Sequence, residues 1–104
     1  MKILKITDEV FETYRTQVNG KENITRDQAE RRLTRNVMEG MSVPPRSFLE
    51  ALIGNEKYIF GNLHIIVRHG RVVRLFNHKG GKPYGGWYKD QKKHAELTKQ
   101  LGII

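Results

Sequence analysis

Residues 57–77 read KYIFGNLHIIVRHGRVVRLFN, and the fold turns on them. KYIF, LHIIVR and RVVRLFN are rich in β-branched and aromatic residues and are separated by Gly61-Asn62 and His69-Gly70. Both dipeptides have the glycine or Asx character that tight hairpin turns need, so the stretch predicts a three-stranded meander. With His69-Gly70 as a two-residue turn, Arg68 faces Arg71, Val67 faces Val72 and Ile65 faces Arg74. One face then carries Leu63, Ile65, Val67, Val72, Arg74 and Phe76, which marks it as the core side with one guanidinium inside it. An unpaired buried charge is expensive. Arg74 therefore either reaches water or a carboxylate near the sheet edge, or is presented from a rigid strand toward a phosphate.

Upstream of the meander the apolar period is helical. TDEVFETYRTQV (7–18) places Val10, Phe11, Tyr14 and Val18 on one side, with Thr7 as N-cap and Asn19-Gly20 as the stop. ITRDQAERRLTRNVMEGM (24–41) is the clearest helix: Thr25 and Gln28 have capping-box spacing, and Ala29, Leu33, Val37 and Met41 form an apolar stripe. Arg31, Arg32 and Arg35 fall on its outer face, partly balanced by Glu30 and Glu39. SVPPRSFLEALIGN (42–55) reads as a short helix, with a proline in its first turn, Gly54 at its end and Phe48, Leu49, Leu52 and Ile53 on its buried side. MKILKI (1–6) reads as an edge strand able to pair between subunits. At the other end KDQKKHAELTKQL (89–101) is a helix capped by Asp90, with His94, Leu97 and Leu101 inward and Lys92, Lys93 and Lys99 outward. The expectation is one α+β domain over residues 1–104: a small antiparallel β-meander of three strands, with an N-terminal edge strand, packed with N-terminal helices and a C-terminal helix.

Charge divides this domain unevenly. Residues 1–56 contain nine Lys+Arg and nine Asp+Glu, whereas residues 57–104 contain ten Lys+Arg against Asp90 and Glu96. The whole net charge of +8 therefore lies in the second half, together with all four histidines and six of the nine aromatics. Clustered cations displace condensed counterions from a phosphate backbone, so this asymmetry points to a polyanionic partner. Cysteine is absent, which excludes disulfides and thiolate metal sites. Lys2, Lys5 and Asp8 interrupt any signal-like apolar run, and no stretch of about 20 apolar residues could span a bilayer. A cytoplasmic location without a membrane partner is expected.

Between the meander and the last helix lies NHKGGKPYGGWYKDQKKH (77–94), far richer in charge and aromatic surface than an ordinary connection. Its glycine pairs allow close approach of backbone amides to a ligand, Lys79 and Lys82 bring charge, and Tyr84, Trp87 and Tyr88 offer stacking faces for bases. Trp87 could equally anchor the last helix to the core. The spacing matches neither a Walker motif nor a dinucleotide fingerprint, and no cofactor is implied. Arg68, Arg71, Lys79, Lys82, Trp87, Tyr88, Lys92 and Lys93 are the candidate nucleic-acid contacts.

Catalytic candidates come from the same half. His64, His69, His78 and His94 could each act as acid or base near neutral pH, and His78 has the best context because it opens the basic loop. In a catalytic reading His78 or Tyr84 moves the proton of a 2′-hydroxyl, while Arg68, Arg71 or Arg74 stabilises the developing phosphorane charge. Hairpin plus helical His94 has the outline of a ββα-metal nuclease but lacks a compact ligand set, and the histidine spacing matches no standard metal site. Ser42 and Ser47 are explained by helix starts.

ERRLTRNVMEGMSVPPRSFLEALIGNEKYIFGNLHIIVRHGRVVRLF (30–76) resembles, in its order of helix, short helix and meander, the small RelE/BrnT-like toxins. The resemblance covers about half the chain. It implies an α+β domain whose sheet face and adjoining loops handle RNA, in many members with metal-independent cleavage. The helical N-terminal extension and the glycine-rich loop depart from that pattern, and no family catalytic residue carries over. Two function classes follow: a nucleic-acid binder, RNA ahead of DNA, with or without ribonuclease activity of toxin type; or a regulator that docks its basic half on an acidic protein surface.

Overall fold

The structure is a computed structural model that describes residues 2–18, 23–44, 47–61, 63–77 and 90–103. In chain order its elements are β1 (Lys5–Ile6), α1 (Asp8–Gln17), α2 (Arg26–Glu39), β2 (Met41–Val43), α3 (Phe48–Ile53), β3 (Glu56–Phe60), β4 (Leu63–Arg68), β5 (Arg71–Asn77) and α4 (Gln91–Gln100). The class is α+β, as the periodicities indicate. The sheet has five strands in the order β1-β5-β4-β3-β2, and the β1–β5 pair is parallel, so it is mixed rather than purely antiparallel.

Local chemistry explains most element boundaries. The Thr7 hydroxyl accepts from the Val10 amide at 3.2 Å, the Thr25 hydroxyl from Gln28 at 3.2 Å, and the Asp90 carboxylate from Lys92 and Lys93 at 3.1 Å. Gln28 does not complete the capping box: its side chain donates to the Gly102 carbonyl at 3.2 Å and ties α2 to the end of α4. His69 and Gly70 both have positive φ (51° and 74°), the conformation a type I′ hairpin turn requires.

A bulge in the β4–β5 ladder corrects the expected register. Val67 pairs with Val72 as the turn dictates, but Ile66 then pairs with Arg74 and Ile65 with Leu75. The extra residue on β5 reverses the alternation, so Leu75 enters the core and Arg74 faces outward, its guanidinium 5.3 Å from the centre of the Phe76 ring. The core side thus holds no guanidinium from β5. It consists of Leu63, Ile65, Val67, Val72 and Leu75, packed with Ile6, Val10, Tyr14, Ala29 and Leu33.

Three further expectations change. Met41 does not extend the α2 stripe: α2 ends at Glu39, and Met41–Val43 pair antiparallel with Ile59–Lys57. Phe48, Leu49, Leu52 and Ile53 are each more than half exposed instead of buried. The reason is topological, because α3 connects two strands that pair with each other and is carried outside the packed layers. Finally, β1 is not a free edge. Opposite its Lys5 N–H to Gly70 carbonyl bond (3.2 Å), the Leu4 amide donates to Thr34 Oγ1 at 2.9 Å and the Ile6 amide to Glu30 Oε2 at 3.1 Å. Arg26 donates to the Ile6 carbonyl, so α2 side chains occupy the backbone groups another strand would use.

Candidate nucleic-acid pocket beneath α2

On α2, Arg32, Arg35, Asn36 and Glu39 recur at i, i+3, i+4 and i+7 and so share one face. That face does not meet solvent. It turns toward α4, the β3–β4 turn and the last turn of α1, enclosing a cavity of about 310 Å³. Arg32, Arg35 and Asn36 line one wall, and Phe60, His94 and Asn77 line others. Among the described residues no carboxylate lines it.

Glu39 stands behind the wall with its side chain only 3% exposed, and its Oε2 lies 2.7 Å from His94 Nδ1. The histidine side chain is 20% exposed. Phe60 stacks on the imidazole with 6.5 Å between ring centres and 22° between planes, which fixes the ring's tilt. Arg35 Nη1 donates to Thr98 Oγ1 at 2.7 Å, and the Thr98 hydroxyl donates to the His94 carbonyl at 2.7 Å. The arginine and the histidine are thereby held by one short chain of bonds.

The electrostatics of this wall are unbalanced. Burial holds the Arg35 guanidinium below its ordinary pKa, and the neighbouring Arg32 charge pushes the same way, while Glu39 and Tyr14 oppose them. Arg35 Nε is buried without a hydrogen-bond partner among the described residues. Burial also raises the Tyr14 hydroxyl, against the pull of Arg32 and Arg35. Two guanidiniums on one wall, with a carboxylate already engaged by His94, constitute a site that an anion would relieve.

The residues singled out in the sequence are distributed unevenly about this pocket. Arg74 is on the outer side of the sheet. Arg68 and Arg71 face each other at the turn end of β4 and β5, and Arg68 Nε donates to Asn55 Oδ1 at 2.7 Å. Leu63, at the pocket, lies at the opposite end of β4, about 17 Å away at the usual rise per residue. Arg71 instead lines a second groove with Lys5 and Arg26, where Asp8 and Glu30 neutralise much of the charge. Lys92 and Lys93 are exposed on the first turn of α4, and Lys93 Nζ donates to the Met38 carbonyl at 3.2 Å, beside Glu39. His78, Lys79, Lys82, Tyr84, Trp87 and Tyr88 lie outside the described residues; in the chain they fall between Asn77, which lines the pocket, and Asp90, the cap of α4.

Arg32, Arg35, Asn36 and Glu39 were absent from the sequence-derived candidates. Arg32 and Arg35 read there as a solvated face, although the polar stripe 32-35-36-39 has the same helical period as the apolar one. Among the described residues no group of three His, Cys, Asp or Glu comes together to hold a metal ion, and no helix is long and apolar enough to cross a membrane.

Comparison with known proteins places this geometry in a family. The family model described as YorE matches residues 4–100, and the chain belongs to that family. It is 31% identical over 105 residues to the SPbeta prophage-derived uncharacterized protein YorE of Bacillus subtilis (strain 168), covering 99% of this chain and 85% of the relative. No solved structure matches the chain.

Proposed function

We propose that this YorE-family protein binds single-stranded nucleic acid, RNA ahead of DNA, and that the pocket beneath α2 receives a backbone phosphate. The observation that carries the reading is the pair Arg32 and Arg35 on the wall of a cavity of nucleotide size, with Asn36 and Asn77 as neutral hydrogen-bonding groups beside them. Guanidinium forks match phosphate oxygens in pairs, and a phosphate here would relieve the Arg32–Arg35 repulsion that burial sharpens. The basic, aromatic stretch of residues 78–89 leaves the chain at Asn77, one of the lining residues, and returns at Asp90, four positions before His94. On this reading the stretch holds the strand flanking the bound phosphate, by stacking on Tyr84, Trp87 and Tyr88 and by charge from Lys79, Lys82, Lys92 and Lys93. Residues 30–76, which resemble the RelE/BrnT-like toxins, supply both arginines. The protein would act in the cytoplasm, where RNA is available.

Fluorescence anisotropy with a labelled single-stranded RNA and the matching DNA tests this. Affinity should fall by orders of magnitude between low and moderate salt if several phosphates are contacted. Flat affinity across that range, or no binding at low salt, removes the proposal. Docking on a protein partner draws on a separate observation, the exposed Phe48, Leu49, Leu52 and Ile53 of α3, and would show as binding that salt does not weaken.

A further inference from the structure

We infer that the pocket also cleaves the RNA it holds, with His94 as the general base that takes the proton of the 2′-hydroxyl. The inference rests on the binding reading and adds chemistry to it. Its warrant is the arrangement around the imidazole. Glu39 Oε2 lies 2.7 Å from Nδ1, and this carboxylate is almost wholly buried, so the hydrogen bond selects the tautomer with its proton on Nδ1. Nε2 then carries the lone pair. Glu39 is a positioning residue that also stabilises the imidazolium once the proton has arrived. Stacking by Phe60 and the Thr98 bridge to Arg35 limit the freedom of ring and guanidinium, which is the preorganisation that proton transfer and charge stabilisation both need.

The step balances without a further reagent. His94 Nε2 accepts the 2′-hydroxyl proton as the 2′-oxygen forms a bond to phosphorus. The bond between phosphorus and the 5′-oxygen breaks, its electron pair stays on the 5′-oxygen, and water supplies that oxygen with a proton. The hydroxide so formed takes back the proton held by His94. Arg32 and Arg35 face the charge that builds on the non-bridging oxygens between these events. The products are a 2′,3′-cyclic phosphate and a 5′-hydroxyl end. RNA is the substrate this arrangement suits, because its nucleophile is built into the strand. One base and fixed cations then suffice, whereas DNA needs a separately activated water.

The test uses the full chain, a random-sequence single-stranded RNA pool and the same pool carrying 2′-O-methyl groups, with a chelator present. The expected result is cleavage of the RNA to 2′,3′-cyclic ends, and binding of the methylated pool without cleavage. His94→Gln, which retains a hydrogen-bonding group for Glu39, should lower the cleavage rate about 10²–10⁴-fold while leaving affinity within about two-fold. Glu39→Gln should alter the pH profile of the cleavage rate, which a merely structural carboxylate would leave in place. If both pools bind and neither is cut, the catalytic inference is wrong and the binding reading stands. If neither binds, the binding reading itself fails. Cleavage that persists in His94→Gln, or that also cuts the methylated pool, removes His94 from the chemistry. Should His94→Gln fail to fold, the comparison of the two pools on the unsubstituted protein still decides whether the 2′-hydroxyl is the nucleophile.

Discussion

Gly40 passes so close to Ile59 that a β-carbon there would stand 3.1 Å from the Ile59 carbonyl oxygen, and 2.8 Å from that of Asn36. Both obstacles are backbone atoms, which cannot rotate away. The φ of Gly40 is −71°, a value any residue adopts, so the requirement is for space and not for a left-handed conformation. This contact brings the end of α2 against β3, and it sets the position of Glu39, one residue earlier.

Gly40→Ala should therefore destabilise the fold by about 1–3 kcal/mol, the usual penalty for forcing extra volume into a packed site. Urea denaturation measures it. An unchanged midpoint would mean that α2 can retreat from the sheet at little cost.

The β5 bulge makes a prediction of opposite sign at neighbouring positions. Deleting Val73 would restore regular alternation and turn Arg74 toward Leu63, Ile65 and Val67, so the variant should fail to fold stably. Arg74→Ala removes only an exposed cation–π contact and should cost no more than about 1 kcal/mol. Circular dichroism melts separate the two cases; a stable deletion variant would show that the bulge is dispensable.

Thr25→Ala should cost about 0.5–2 kcal/mol, because the Gln28 amide loses its acceptor at the start of α2. Nucleic-acid affinity measured well below the melting temperature should not change. A selective loss of affinity with intact stability would make Thr25 a ligand contact.

Arg35→Gln and Arg32→Gln should each weaken RNA binding, and each should reduce the slope of log affinity against log salt by about 1 if it contacts a phosphate. Arg68→Gln, about 17 Å along the hairpin from the pocket, should have less effect on a strand just long enough to fill the cavity. Equal losses at all three positions would point to a diffuse basic surface in place of a pocket.

Alkaline pH should expose one further feature. The Tyr58 hydroxyl donates to Glu56 Oε2 at 2.6 Å, and that bond, with burial and the Glu56 charge, raises its pKa to about 12 from the ordinary 10.0. Because the folded pKa is the higher one, the stabilisation is complete below about pH 10 and is lost as pH rises toward 12. Tyr58→Phe should flatten the decline of stability in that window. Denaturation midpoints across the window, alongside tyrosinate absorbance, check it; identical curves for both proteins would show that Tyr58 titrates alike folded and unfolded.

What the sequence determined by itself are the features set by near neighbours in the chain. The strands of the meander, the His69-Gly70 turn, and the caps at Thr7, Thr25 and Asp90 depend on residues a few positions apart, and all are found where local chemistry places them. The concentration of cations after residue 56 was equally plain. The tertiary structure alone decided the parallel pairing of β1, the exposure of α3, and the fate of each charged residue. Arg32 and Arg74 show why. Both carry the same side chain, and periodicity put Arg32 outside and Arg74 inside. One extra residue on β5 turned Arg74 to the outer face, while the approach of α4 to α2 enclosed Arg32, Arg35 and Glu39 around a cavity. Periodicity states which residues share a face. Which face is covered depends on elements some 60 residues away in the chain, such as Thr98 against Arg35, and no local pattern encodes that contact.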